Sequence, residues 1–163
     1  MSTKAIAMGG TLAALAIVLK MFSLTTFDLR ISFYDIPLMI SGVLFGPLVG
    51  GLVGFITDWI YSTTQGFPLG LFTISSILWG LIPGLLMLVL KKINVKTITV
   101  IVVITSVFAM ASNTVALYQF TGSAVFAMLP ARIIVMIIKW PIQVIILKQL
   151  HQRVILPLNI KRV

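Results

Sequence analysis

The feature that most limits what this chain can become is a succession of apolar runs, each about as long as a bilayer is thick, separated by short polar breaks. A transmembrane helix needs about 20 predominantly apolar residues. Runs of that kind cover residues 5–23, 37–61, 72–90, 97–117 and 126–147. Only 9% of the residues are charged, whereas a soluble domain carries roughly 25%. The chain therefore reads as an all-α integral membrane protein, a single membrane domain over residues 1–163.

The run from 37 to 61 differs from the rest. It carries Pro47 and glycines 42, 46, 50, 51 and 54. Basic residues favour the cytoplasmic side of a membrane. Lys4, the loop "KKINVK" (Lys91, Lys92, Lys96) and the tail from Lys148 to Arg162 should thus all lie inside. A single span over 37–61 would push "KKINVK" outside, whereas a turn at Gly46 and Pro47 brings every basic cluster inside. Proline cannot continue the helical hydrogen-bond ladder, and glycine permits a tight turn. The spacing predicts six helices, at about 5–23, 31–46, 47–64, 72–90, 97–117 and 126–149, with both termini cytoplasmic. The second helix is short for a full span. Lys4 before an apolar run could open a signal peptide, but no small-x-small site follows it, so the run is read as retained.

The net charge of +9 does not indicate nucleic acid, because the basic residues flank apolar runs instead of forming one soluble face. Cysteine is absent, which excludes disulfides and thiol chemistry. The single histidine, His151, lies in the tail, so an acid–base enzyme or a metal site has too few candidates. No phosphate-binding loop is present, so nothing here supplies energy. A non-enzymatic role without cofactors follows.

The polar residues gather at the outer ends of the predicted helices. The stretch "DLRISFYDIP" contains Asp28, Arg30, Tyr34 and Asp35. Helix 3 ends with Asp58, Tyr61 and Gln65, spaced three and four apart and hence on one face. Phe67 follows, and helix 4 carries Trp79. Helix 5 carries Asn113 and Tyr118, and helix 6 carries a stripe with Arg132, Lys139 and Gln143. Charges within a span are costly and normally face a bundle interior or a cavity, so an outward-opening ligand pocket explains the cluster. Arg30, Arg132 and Lys139 suit a carboxylate or phosphate. Asn113 and Gln143 can read amides or ring nitrogens, and the aromatics can stack on a flat ring. Each has an ordinary structural reading too. Trp79, Tyr34 and Tyr118 suit an interfacial belt, and Arg132 a snorkelling residue. Asp58 could pair with Lys139 across the bundle, and Asp35 could cap helix 2.

On helix 1, Ala5, Gly9 and Ala13 recur every four residues, with Gly10 and Ala14 in a parallel row. Rows of small residues let helices approach closely in membranes. Such rows fit either packing inside the bundle or docking on a partner.

Three stretches together resemble the substrate-binding (S) component of an energy-coupling factor (ECF) vitamin transporter. They are "RISFYDIPLMISGVLFGPLVGGLVGFITD" (30–58), "LFTISSILWGLIPGLL" (71–86) and "SNTVALYQFTGSAVFAMLPARIIVMIIKWPIQVIIL" (112–147). The last, through "LPARII" and "PIQ", looks most like the folate-family branch. The resemblance implies capture of a vitamin from outside the plasma membrane of a bacterium. It also implies docking through helix 1 onto a transmembrane coupling subunit driven by two cytoplasmic ATPases, and reorientation in the lipid bilayer. The chain departs from the folate pattern at "GFPLGLFT", where an aromatic-Pro-Gly-Phe run is expected, and at Pro83, where a tyrosine is expected. Folate thus stands first among ligands, with pantothenate and a pyridoxine- or pyrimidine-type vitamin as alternatives. An ion-coupled carrier with Asp58 as its protonation site is the competing class, although matched inverted repeats are not visible.

Overall fold

The computed structural model describes residues 3–26, 29–66, 69–90, 94–150 and 152. Among them are six α-helices and one short hairpin: α1 (Thr3–Met21), β1 (Leu24–Thr26), β2 (Leu29–Ile31), α2 (Asp35–Phe45), α3 (Pro47–Gln65), α4 (Leu71–Leu90), α5 (Val95–Thr121) and α6 (Ala124–Leu150). Helices α4, α5 and α6 are long and apolar enough to cross a membrane.

The break between α2 and α3 falls where the sequence puts it. Gly46 takes φ 86°, a region open to glycine, and its N–H bonds to Gly42 O at 3.0 Å. Pro47 then opens α3, in the first turn, where a missing N–H is harmless. The start of α2 differs from the expected residue 31. Leu24–Thr26 and Leu29–Ile31 instead pair as antiparallel strands, with Thr25 opposite Arg30, and the helix begins at Asp35. The run "LTTFDLRI" is rich in β-branched and aliphatic residues, and pairing its two ends satisfies the backbone there.

Helix α2 is short because it is enclosed. Ten of its eleven residues are buried, Val43 being the exception, and it packs against α1, α3, α4 and α6. A helix that is apolar all round belongs inside. Glycines set how closely the layers approach. A Cβ on Gly80 of α4 would collide with the carbonyl oxygen of Gly50 in α3, and one on Gly84 would collide with the backbone of Pro47. Small residues thus bring α2, α3 and α4 into backbone contact, the packing mode of membrane helices.

Helix α1 uses one of its two small rows for the bundle. Gly9 faces Val49 and Val53 of α3, and Ala13 and Ala16 are buried. Gly10 and Ala14 point outward, and nothing lies within 4 Å of a Cβ built on Gly10. The side chain of Ala5 lies outside the described residues. Helix α6 is peripheral. It buries only Val125, Gln143 and Leu147, while Ile134, Ile138 and Ile145 are more than half exposed. An outer surface of this kind suits hydrocarbon.

Gly80→Val should lower the thermal stability of the detergent-solubilised protein by about 1–3 kcal/mol through overpacking. Gly10→Ala should leave it unchanged or slightly raised. Melting curves of the two variants check the contrast.

Candidate functional site

A cavity of about 760 Å³ opens among the C-terminal halves of α1, α3 and α5, the N-termini of α2 and α4, and the middle of α6. Helical periodicity brings its polar residues together. Ser106, Met110, Asn113 and Leu117 form one face of α5, and Arg132, Met136, Lys139 and Gln143 form one face of α6. Tyr34, Tyr61, Phe72, Trp79 and Phe120 supply aromatic wall. Phe72 and Phe120 stack at 5.9 Å across α4 and α5.

Two ion pairs underlie this wall, the first buried at both partners and the second partly exposed at its lysine. In the first, Lys20 of α1 contacts Asp58 of α3 directly and donates to Ser76 Oγ of α4 at 3.1 Å. Ser76 Oγ in turn lies 3.1 Å from Asp58 Oδ1, closing a three-helix cluster. The Lys20 ammonium also sits 4.8 Å and 4.9 Å from the ring centres of Tyr34 and Tyr61, within cation–π range. In the second, Lys139 Nζ of α6 donates to Asp35 Oδ2 and to the backbone oxygen of Ser32, both at 2.6 Å. Gln143 Nε2 donates to the same Asp35 oxygen at 2.6 Å. Asp35 stands in the first turn of α2, where the helix dipole favours an anion. A buried charge is tolerated only when paired and hydrogen-bonded, and both pairs meet that condition.

Arg132 is arranged differently. It is half-buried in the cavity wall, donates from Nη1 to Thr114 Oγ1 at 3.3 Å, and has no carboxylate partner among the described residues. It is the wall's spare cation. Among the described residues, no three His, Cys, Asp or Glu side chains come together to hold a metal.

Of the twelve residues expected from the sequence to contact a ligand, eight line the cavity: Tyr34, Asp58, Tyr61, Trp79, Asn113, Arg132, Lys139 and Gln143. Gln65 and Tyr118 do not. Gln65 is exposed at the last position of α3, a turn beyond the cavity. Tyr118 follows Leu117, so it is rotated about 100° off the lining face; it is 53% exposed and packs on Phe126. Arg30 is placed only by its backbone in β2, and its side chain and Phe67 lie outside the described residues. The suggested pairing of Asp58 with Lys139 is corrected, since each takes a different partner. Asp35 does more than begin a helix, because it holds α6 to α2.

Lys20 escaped the sequence reading because it ends an apolar helix and resembles an interfacial residue. The charge count held a signal. Within the predicted spans stand Asp35 and Asp58 against Lys20, Arg132 and Lys139, with Lys148 at the very end of the last one. Two acids require two buried bases, and one base is left over.

Fold and cavity define a helical membrane protein that holds a small solute, and the comparisons give its family. A family model for the ECF transporter substrate-specific component matches residues 4–150. The folate transporter FolT of Clostridium novyi (strain NT) is 34% identical over 133 residues, covering 78% of this chain and 76% of that one. A crystal structure of FolT bound with folic acid matches with a TM-score of 0.80 at 27% identity, over 94% of this chain and 96% of that one. The chain belongs to the family of ECF transporter substrate-specific components.

Removing one partner of a buried ion pair leaves an uncompensated charge, at a cost of about 3–5 kcal/mol. Lys20→Met alone should destabilise the protein by that order. The double change Lys20→Met with Asp58→Leu should recover most of the loss. Thermal unfolding of the two variants in one detergent reads the difference directly.

Proposed function

We propose that this chain captures folate from outside the cell and hands it to an ATP-driven coupling module, without itself catalysing a reaction. The observation that carries this reading is the chemistry of the cavity. It has a flat-ring wall of Tyr34, Tyr61 and Trp79, two ion pairs already neutralised, and one guanidinium left for a carboxylate. Its volume of about 760 Å³ suits a drug-sized ligand. The structural likeness to folate-bound FolT supports the same ligand. Of the remaining sequence candidates, Arg30 and Phe67 are kept as proposed ligand contacts on the sequence reading alone. Gln65 and Tyr118 are assigned to the cavity's outer surroundings.

In this reading all six helices belong to one membrane domain of the plasma membrane, with both termini cytoplasmic. The enclosed α2 serves as the bundle's centre and the isoleucine face of α6 meets lipid. The coupling subunit docks on the outward row of α1, Gly10 and Ala14, with Gly9 and Ala13 committed to internal packing. Two ATPases act from the cytoplasm through that subunit. Asp58 is held by Lys20 and Ser76, which leaves little basis for an ion-coupled carrier working through this carboxylate.

Uptake of labelled folate by cells expressing the chain with a coupling subunit and two ATPases tests the assignment. Uptake should stop when the ATPases are inactive, whereas uptake by the chain alone would overturn it. Gly10→Leu should abolish uptake while leaving folate affinity within about threefold of the wild type, as expected for a site away from the cavity. Arg132→Ala should weaken folate binding by about 10- to 100-fold, the range for losing a hydrogen bond to a charged group. Fluorescence titration against Trp79 reads that loss.

A further inference from the structure

The cavity wall is polar in two opposite senses, and their separation defines how a ligand must lie. The spare donor is Arg132. Eleven residues along the same helix, about 16 Å at 1.5 Å per residue, stands Gln143. Its amide cannot take either orientation at will. Nε2 must face Asp35 Oδ2, because a carboxylate only accepts. Asp35 is itself fixed by Lys139, which is anchored on Ser32 O. The chain of contacts therefore leaves Gln143 Oε1 and Asp35 Oδ1 as buried acceptors without a donor, and Asp58 Oδ2 is in the same condition. The three residues are 98–100% buried, as their relative exposures of 1%, 0% and 2% give, and all three line the cavity. Buried acceptors are nearly always matched by a donor, and among the described residues no protein group supplies one here.

We propose that Gln143, oriented by Asp35 and Lys139, is a specificity-determining residue that reads N–H donors on the ligand's ring, with the ligand's carboxylate at Arg132. The inference rests on the folate assignment and deepens it. Folate has the required polarity, with an amino group and a ring N–H side by side on its pyrimidine edge and carboxylates at the far end of a long molecule. A short vitamin with a carboxylate and no donor edge would satisfy Arg132 and leave the acceptors unmatched.

The test is equilibrium binding of three probes to the purified full chain: folic acid, its 2-desamino analogue, and p-aminobenzoylglutamate, which lacks the ring. The wild type should bind folic acid at least 30-fold more tightly than the 2-desamino analogue. In Gln143→Leu that gap should shrink below threefold, while affinity for p-aminobenzoylglutamate stays unchanged. The charge-conserving pair Asp35→Asn with Lys139→Met gives a second reading, and should also narrow the gap. Equal binding of folic acid and its 2-desamino analogue by the wild type overturns the inference and leaves the folate assignment standing. Equal weakening of every probe by Gln143→Leu overturns it as well, by assigning Gln143 to packing alone. Failure of the wild type to bind folic acid overturns both.

Discussion

The structure depends on how it places four charges in a low-dielectric interior. Lys20 with Asp58 joins α1 to α3 and, through Ser76, to α4. Lys139 with Asp35 joins α6 to α2 and to the base of the hairpin. Hydrophobic burial offers little cohesion between helices already in lipid, so packing and interhelical polar contacts carry more of the load. The glycine seam between α3 and α4 supplies the packing, and the ion pairs supply the cross-links. Because both pairs lie in the cavity wall, the groups that hold the bundle also shape the site.

That arrangement explains why a cavity with five described charges need not be a strongly charged one. Lys20, Lys139 and Arg132 face Asp35 and Asp58, and the pairing leaves a single guanidinium without a carboxylate partner among the described residues. In the proposed function, affinity then arises from one directed charge contact, aromatic wall and hydrogen bonding, and much less from bulk field. The peripheral α6 contributes Arg132, Lys139 and Gln143, yet buries little of its own surface. The helix least committed to the core thus contributes much of the cavity's polar lining.

Much of the architecture was legible because it rests on local rules. Helix lengths follow from apolar runs, and the α2–α3 turn follows from Gly46 and Pro47. The α6 stripe follows from spacings of three and four. Tertiary choices were less legible. Asp58 and Lys139 stood out as charges within spans, but nothing local says that their partners are Lys20 and Asp35, 38 and 104 residues away. Spacing also fixes a face without fixing its height, which is why Gln65 shares a face with Asp58 and still misses the cavity. Tyr118 shows the converse, at the right height and one position out of phase. The small residues of helix 1 form two rows, and only the packed bundle shows that one turns inward and the other outward.

The central claim is that this cavity binds a folate molecule by itself. Isothermal calorimetry of the purified chain in detergent, without ATP or any other subunit, tests it most directly. The account predicts saturable one-to-one binding of folic acid, with pantothenate and pyridoxine giving no competing heat. A silent titration with folic acid, or tight binding of pantothenate in its place, would contradict it.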